Sequence, residues 1–431
     1  MKNMKIFLFL ILIFCSSLLY SQSDLKNKLE SLVGIISVES IEPDSGYTEA
    51  FKVFIEQPLD HQNPDGKNFK QKFYLSHRDE SLPIVIELDG YNVDYNRYNE
   101  LAEIFKCNKI VVEHRYFGES TPDSLDWKYL TIQQAAQDHH KIIEKMKNIY
   151  KSKWITTGIS KGGQTTIFHK YYFPDDPYAS VCYVAPVNLT VEDPRIYYFL
   201  NHVGTEECRD KIILFQREIL KREDQLLPLF KDAAKKNGYT YSIGSDRFVF
   251  EYVVLEYSFS FWQWQRSTCD EIPDTTASNK ILFDHLTNVS EIDYFSDQEI
   301  ARVLPFYYQA YSQIGYYGYD ISNFKDLLKE VKDPTSRIFL PKYMHPVFDC
   351  CILQKVNTWT QKHGNNMIFI YGGNDTWGAT AIELTGETNS IKMVKKGGSH
   401  KTRIKSFDEK VQKFIINTLE KWLDHKIPNF N

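Results

Sequence analysis

Apolar and polar positions follow two different periods along this chain. Apolar residues alternate at Phe51, Val53 and Ile55, and again at Phe69, Phe73 and Leu75, which predicts two strands with Asp65-Gly66 in the loop between them. Residues 82–88 predict a third strand, apolar at its centre, and 95–105 a helix. Residues 109–113 read as a strand. Residues 131–150 read as a helix, with Ile132, Ala135, Ala136, Ile142, Ile143 and Met146 on one face. Residues 153–157 and 179–184 are the next two strands. Strands alternating with helices predict an α/β architecture, a mostly parallel sheet with crossover helices.

That rhythm stops near residue 188. From there to 353 the pattern is mainly helical: an amphipathic stretch over 208–236, an aromatic-dense one over 248–265, and a further helix over 323–331. Strands return at 366–371 and 390–394, and a last helix at 408–425. The expected organisation is one sheet domain, residues 22–187 and 354–431, interrupted by a substrate-selecting helical cap over 188–353.

Composition and targeting narrow the class. The chain has 431 residues, 42% hydrophobic and 15% aromatic, enough to bury a sizeable core. A net charge of −5 argues against a nucleic-acid partner. Lys2 and Lys5, then an apolar run over 6–19, then Ser21, read as a secretory signal over residues 1–21, so the mature protein is expected to be secreted or periplasmic. The run is short for a membrane span, and no other segment reads as one. Six cysteines remain after the signal; Cys182 reads as a buried free thiol, and Cys208 and Cys269 are the candidate disulfide pair. No C-x-x-C is present, and nothing in the pattern calls for a metal or cofactor. Asn188-Leu189-Thr190 and Asn288-Val289-Ser290 fit glycosylation acceptors.

The chemistry is carried by Gly158-Ile159-Ser160-Lys161-Gly162, a G-x-S-x-G between a predicted strand and a predicted helix. That is the context of a nucleophile elbow, in which a serine is lifted above the sheet edge on a turn too tight for side chains at its flanks. A serine hydroxyl needs a histidine base and a carboxylate to orient that base. In such a sheet the partners follow in the order acid, then histidine, each in a loop after a strand. Asp375 follows the 366–371 strand through Gly372-Gly373-Asn374, and His400 follows the 390–394 strand through Gly397-Gly398-Ser399. His114 lies on a strand and His139, His140 and His169 on helices, so His400 is preferred. The oxyanion is expected to meet the backbone N–H of Lys161 and that of Tyr91, in the loop Asp89-Gly90-Tyr91-Asn92. The Lys161 side chain is expected to turn away and pair with an acid, and Glu113-His114-Arg115-Tyr116 to supply a structural ion pair supporting the elbow, with substrate contact as the alternative.

Several segments resemble a known group. Glu56-Gln57-Pro58-Leu59-Asp60-His61 and Glu113-His114-Arg115-Tyr116-Phe117-Gly118-Glu119-Ser120 are shared in style by lysosomal-type Pro-Xaa carboxypeptidases and by bacterial prolyl tri/tetrapeptidyl aminopeptidases of the PS-ten type. The elbow with lysine and a second glycine, Gly158 to Gly163, is similar to the aminopeptidases, whereas the carboxypeptidases carry G-G-S-Y-G-G. Glu192-Asp193-Pro194-Arg195, Phe261-Trp262-Gln263-Trp264 and Tyr371-Gly372-Gly373-Asn374-Asp375-Thr376-Trp377 agree with the same family. Thr376, where the family often has proline, and Asp89, where it has glutamate, depart from it. The resemblance implies an α/β-hydrolase fold and a serine exopeptidase that releases short peptides, often ending in proline, from a free N-terminus. Such an enzyme must bind an α-ammonium group, for which Glu256 is the first candidate and Glu192 and Asp193 are rivals. Trp262 and Trp264 are candidates for a proline-accepting pocket, with core packing as the alternative. An esterase or lipase with the same triad, a Pro-Xaa carboxypeptidase and an inactive binding module are the competing classes.

Overall fold

The computed structural model describes residues 23–427. The signal reading over residues 1–21 lies outside the described residues. Among the described residues nine strands form one sheet: β1 (Ile35–Ile41), β2 (Glu49–Pro58), β3 (Asn68–His77), β4 (Ile84–Leu88), β5 (Asn108–Val112), β6 (Trp154–Ile159), β7 (Ala179–Tyr183), β8 (Met367–Gly372) and β9 (Ile391–Lys395). Their order is β1-β2-β3-β5-β4-β6-β7-β8-β9. The first four in that order pair antiparallel and the remaining pairs are parallel. This is the α/β-hydrolase architecture. The central strands β4 to β7 are buried on both faces almost throughout, which is why they read as continuous apolar runs. The edges β1 and β9 are partly exposed, and β9 carries Lys392 and Lys395 there.

Among the described residues, twelve α-helices surround and interrupt the sheet. They are α1 (Asp24–Ser31), α2 (Glu100–Phe105), α3 (Ile132–Met146), α4 (Lys161–Tyr172), α5 (Arg195–Leu200), α6 (Glu206–Lys221), α7 (Glu223–Asn237), α8 (Asp246–Trp264), α9 (Asn279–Val289), α10 (Asp297–Gln309), α11 (Ile352–His363) and α12 (Glu409–Leu423). Leu25 and Leu29 of α1 and Ile142, Ile143 and Met146 of α3 pack on one face of the sheet. Leu101 and Phe105 of α2 and Ile415, Ile416 and Leu419 of α12 cover the other.

Helices α5 to α10 all lie between β7 and its sheet neighbour β8. At their centre α8 is apolar around nearly its whole circumference, the signature of a helix packed on every side. Its N-cap is Ser245, whose hydroxyl accepts from Phe248 N–H. Cys208 and Cys269 are joined in a disulfide that ties α6 to the segment after α8. Cys182 is a buried free thiol.

The structure revises several sequence expectations. The strand β1 was not foreseen, because Ile35-Ile36-Ser37-Val38-Glu39 shows no sustained alternation. The 95–105 helix shortens to α2, and the 208–236 stretch is two helices that break at Arg222. The helix expected over 323–331 is a run of turns. Its apolar period is real, since Phe324, Leu328 and Val331 are buried. The amides of Lys329, Glu330 and Val331, however, donate to the Glu251 carboxylate of α8. Asn188 is buried and donates to Ile314 O, so that acceptor sequence is closed in the fold. Asn288 is exposed.

Candidate active site

The elbow joins β6 to α4 without a spacer. Ser160 stands between them with φ 56° and ψ −121°, a region ordinary side chains avoid. The turn is held by Ser160 N–H to Tyr183 O (2.8 Å) and Gln164 N–H to Ser160 O (3.0 Å). It is also tight: a Cβ on Gly158 would lie 2.1 Å from the Gly162 carbonyl oxygen, so only glycine fits.

Asp375 and His400 come from the loops after β8 and β9. Asp375 is fully buried, and its Oδ2 lies 2.7 Å from His400 Nδ1. Trp377 N–H donates to its other oxygen, which orients the carboxylate. With Nδ1–H donated to Asp375, the His400 Nε2 is the ring nitrogen left to accept a proton. The Trp264 ring meets the imidazole edge-on at 5.3 Å. Helix α8 buttresses both loops: His400 N–H donates to Gln263 O, and Thr376 Oγ1 donates to Phe259 O.

Ser160, His400, Tyr91, Trp264 and Glu256 all line one cavity of about 720 Å³. The structure therefore gathers the nucleophile, the histidine and one candidate ammonium acceptor. The Lys161 N–H belongs to the first turn of α4, where amides lack helical partners. Tyr91 N–H donates to Asp89 Oδ1 (2.8 Å), and Arg97 binds the same carboxylate. The expectation that the Lys161 side chain pairs with an acid is corrected. It is buried and its Nζ donates to Gly90 O at 2.6 Å. Arg115 does form a buried ion pair, with Asp138 of α3.

Glu256 is 3% exposed. Its carboxylate accepts from Ser260 Oγ (2.7 Å), Tyr317 Oη (2.9 Å) and Tyr319 Oη (3.0 Å). Burial pushes its acid up to about 7, and the three hydroxyls only partly offset this. The same burial, together with the Glu256 charge, pushes both tyrosines well up, so they stay protonated donors. The buried Glu87 and Asp89 in the same cavity share Arg97, and Glu299 is paired with Arg302. Glu256 faces the cavity with hydroxyl partners and no cation.

The rivals are placed elsewhere. Glu192 accepts from Tyr311 Oη, Thr335 Oγ1 and Ser336 N–H, tying α10's end to the 335–337 segment. Asp193 is ion-paired with Arg195 and accepts Leu189 N–H. Trp262 lies on the far side of α8, against Gly204 and Phe261. None of the three lines the cavity of Ser160 and His400; each pairs or packs among the segments that lie between β7 and β8. Sequence reasoning did not find Tyr317, Tyr319 or Ser260. Ser260 was within reach, being one turn after Glu256 on the same helix. Nothing in the period of Gly315-Tyr316-Tyr317-Gly318-Tyr319 announces its contact with α8. The remaining wall is aromatic: Phe259 stacks on Tyr317 at 3.8 Å, and Trp377 meets both rings.

A family model described as PS-10 peptidase S37 matches residues 20–416. A prolyl tri/tetrapeptidyl aminopeptidase of Streptomyces mobaraensis is 33% identical over 396 residues, covering 90% of this chain and 83% of its own. A probable serine protease EDA2 of Arabidopsis thaliana is 27% identical over 188 residues, 38% of each chain. Among solved structures, a proline iminopeptidase of Mycobacterium smegmatis is 12% identical, with a TM-score of 0.39 over 86% of this chain and 98% of that one.

Proposed function

The chain belongs to the PS-10 peptidase S37 family and is a serine peptidase, and from that premise we propose that it is an exported exopeptidase that releases tri- or tetrapeptides, ending in proline, from free N-termini. Glu256 is the observation that carries this reading: a buried carboxylate, ringed by hydroxyl donors and facing the cavity of Ser160 and His400, is suited to an α-ammonium group. The flat rings of Phe259, Tyr317, Trp264 and Trp377 suit a proline side chain.

The chemistry would run in two halves. Ser160 Oγ attacks the scissile carbonyl carbon while His400 Nε2 takes its proton, and Asp375 stabilises the imidazolium. The oxyanion meets the N–H groups of Lys161 and Tyr91. The C–N bond breaks as His400 returns the proton to the departing amine, leaving an ester on Ser160. Water then repeats the steps in reverse roles and frees the short peptide.

Matched tripeptide anilides ending in proline, with and without an N-acetyl group, test the reading alongside a short acyl ester. Cleavage confined to the free-amine substrate is expected. Equal cleavage of both anilides would replace the exopeptidase reading with a peptidase indifferent to the N-terminus, and cleavage of the ester alone would replace it with an esterase. Ser160→Ala should lose about 10⁴- to 10⁶-fold in kcat and all fluorophosphonate labelling, with thermal melting unchanged. Near-normal turnover would remove Ser160 from the mechanism.

A further inference from the structure

Lys161 follows the nucleophile directly, yet its side chain is only 4% exposed. Burial, with no carboxylate opposing it, holds its amine well below the ordinary lysine value. Tyr91 and Phe117 present their rings 5.5 and 5.2 Å from Nζ. Burying a lysine without an acid is costly, so the contact it does make is informative. That contact is with the Gly90 carbonyl at 2.6 Å.

The backbone is shaped to allow it. A Cβ on Gly90 would lie 2.6 Å from both Cβ and Cγ of Lys161 and 2.8 Å from Gly162 N. The 89–91 loop therefore rests directly on the lysine stem, which no other residue at position 90 permits. The carbonyl that Lys161 holds belongs to the Gly90–Tyr91 peptide, and the other end of that rigid plane is the Tyr91 N–H. On its far side the Tyr91 carbonyl accepts from His114 N–H at 3.2 Å.

We infer that the Lys161 side chain is a positioning residue for the oxyanion hole, fixing and polarising the peptide plane that presents the Tyr91 N–H. The inference rests on the serine-peptidase reading of Ser160 and on Tyr91 as the second donor. Lys161 then acts twice, through its own N–H and through its Nζ on the neighbouring plane. A donor on the carbonyl strengthens the N–H at the opposite end of the same amide. Here that N–H donates to Asp89 Oδ1, and Arg97 draws on the same carboxylate. An arriving oxyanion exchanges one negative acceptor for another, while Lys161 keeps the plane from turning.

Lys161→Met keeps the backbone N–H and the apolar stem and removes only the amine. Loss of a whole oxyanion donor costs ~10²- to 10³-fold in kcat, so loss of its support should cost roughly 10- to 100-fold. The KM and the affinity for a product tripeptide should hold, while a peptide boronic acid, which forms a tetrahedral adduct, should weaken by the same factor as kcat. A kcat close to wild type, or product affinity falling in step with kcat, would overturn the inference, since a structural role moves both. If Lys161→Met does not fold, Lys161→Gln, whose shorter amide cannot span to Gly90 O, carries the same comparison. Fluorophosphonate labelling of the wild-type enzyme separates the two levels. No label on Ser160 removes the nucleophile and this inference together; labelling with an unaffected variant removes Lys161 alone.

Discussion

Glu256→Gln changes one charge and almost no volume, so its effect can be worked from the site. An ammonium and a carboxylate about 4 Å apart attract by about 4 kcal/mol at an effective dielectric near 20. The glutamine oxygen still accepts a hydrogen bond from that ammonium, which retains about 1.5 kcal/mol. The difference, about 2.5 kcal/mol, corresponds to roughly 60-fold in kcat/KM. The loss should fall on the free-amine tripeptide anilide alone, because the N-acetylated one has no charge to lose. The wild-type profile should carry the same signature. Pairing needs an ionised Glu256, whose acid lies at about 7, and a protonated substrate amine, with an ordinary value near 8. kcat/KM for the free amine should therefore rise through about pH 7 and fall above about 8, and the amine-specific part of that rise should vanish in the variant. Stability should move the other way. The Glu256 acid rises from 4.5 in the unfolded chain to about 7 in the fold. Its favourable contribution is complete below the unfolded value and is lost as pH climbs through the folded one, a change of about 3 kcal/mol. Denaturant melts should find Glu256→Gln close to wild type near pH 4 and more stable by up to about 3 kcal/mol at pH 8. Equal losses on free and acetylated substrates, or no stability gain at pH 8, would refute Glu256 as a buried carboxylate kept for an ammonium.

Two further perturbations test the scaffold. Arg115 is fully buried and binds both oxygens of Asp138, so Arg115→Met leaves that buried carboxylate with the His61 ring as its remaining side-chain partner and should cost about 3–5 kcal/mol in urea melts, with a loss below about 1 kcal/mol refuting the pair's structural weight. Replacing Cys208 and Cys269 by serine frees a bridge across a sequence separation of 61 and should cost about 4 kcal/mol by the chain-entropy relation, read as a fall in Tm that reductant reproduces in the wild type; a Tm that does not move would refute the bridge's contribution.

The Ser160 elbow and the Asp375–His400 pair were legible because their setting is local. Ser160 announces itself by glycines that a tight strand-to-helix turn demands, and Asp375 and His400 by glycine loops after apolar strands. The Cys208–Cys269 bridge was legible as a pairing across one helical region. The errors cluster in the segment between β7 and β8. Phe324, Leu328 and Val331 repeat at helical spacing and are buried, yet a glutamate on α8 captures the amides a helix would have used. Glu192 and Asp193 precede α5 and looked available, but Glu192 is held by partners up to 144 positions away and Asp193 by Arg195 and Leu189 close in sequence. Trp262 and Trp264 are two residues apart, and on a helix that spacing sends them to different sides.

By itself the sequence determined the α/β sheet, the interruption between its strands and the placing of Ser160 at the elbow with Asp375 and His400 in loops after later strands. Those features follow from periods of two and 3.6 residues and from glycine at tight turns, which neighbours along the chain decide. Only the tertiary structure decided which buried carboxylate faces the cavity without a cation, and that Lys161 reaches the Gly90 carbonyl instead of an acid. Both depend on side chains far apart in sequence, Glu256 with Tyr317 and Tyr319, Lys161 with Gly90, meeting in space. Burial there sets the cost of each charge, and burial is a property of packing that no local pattern encodes.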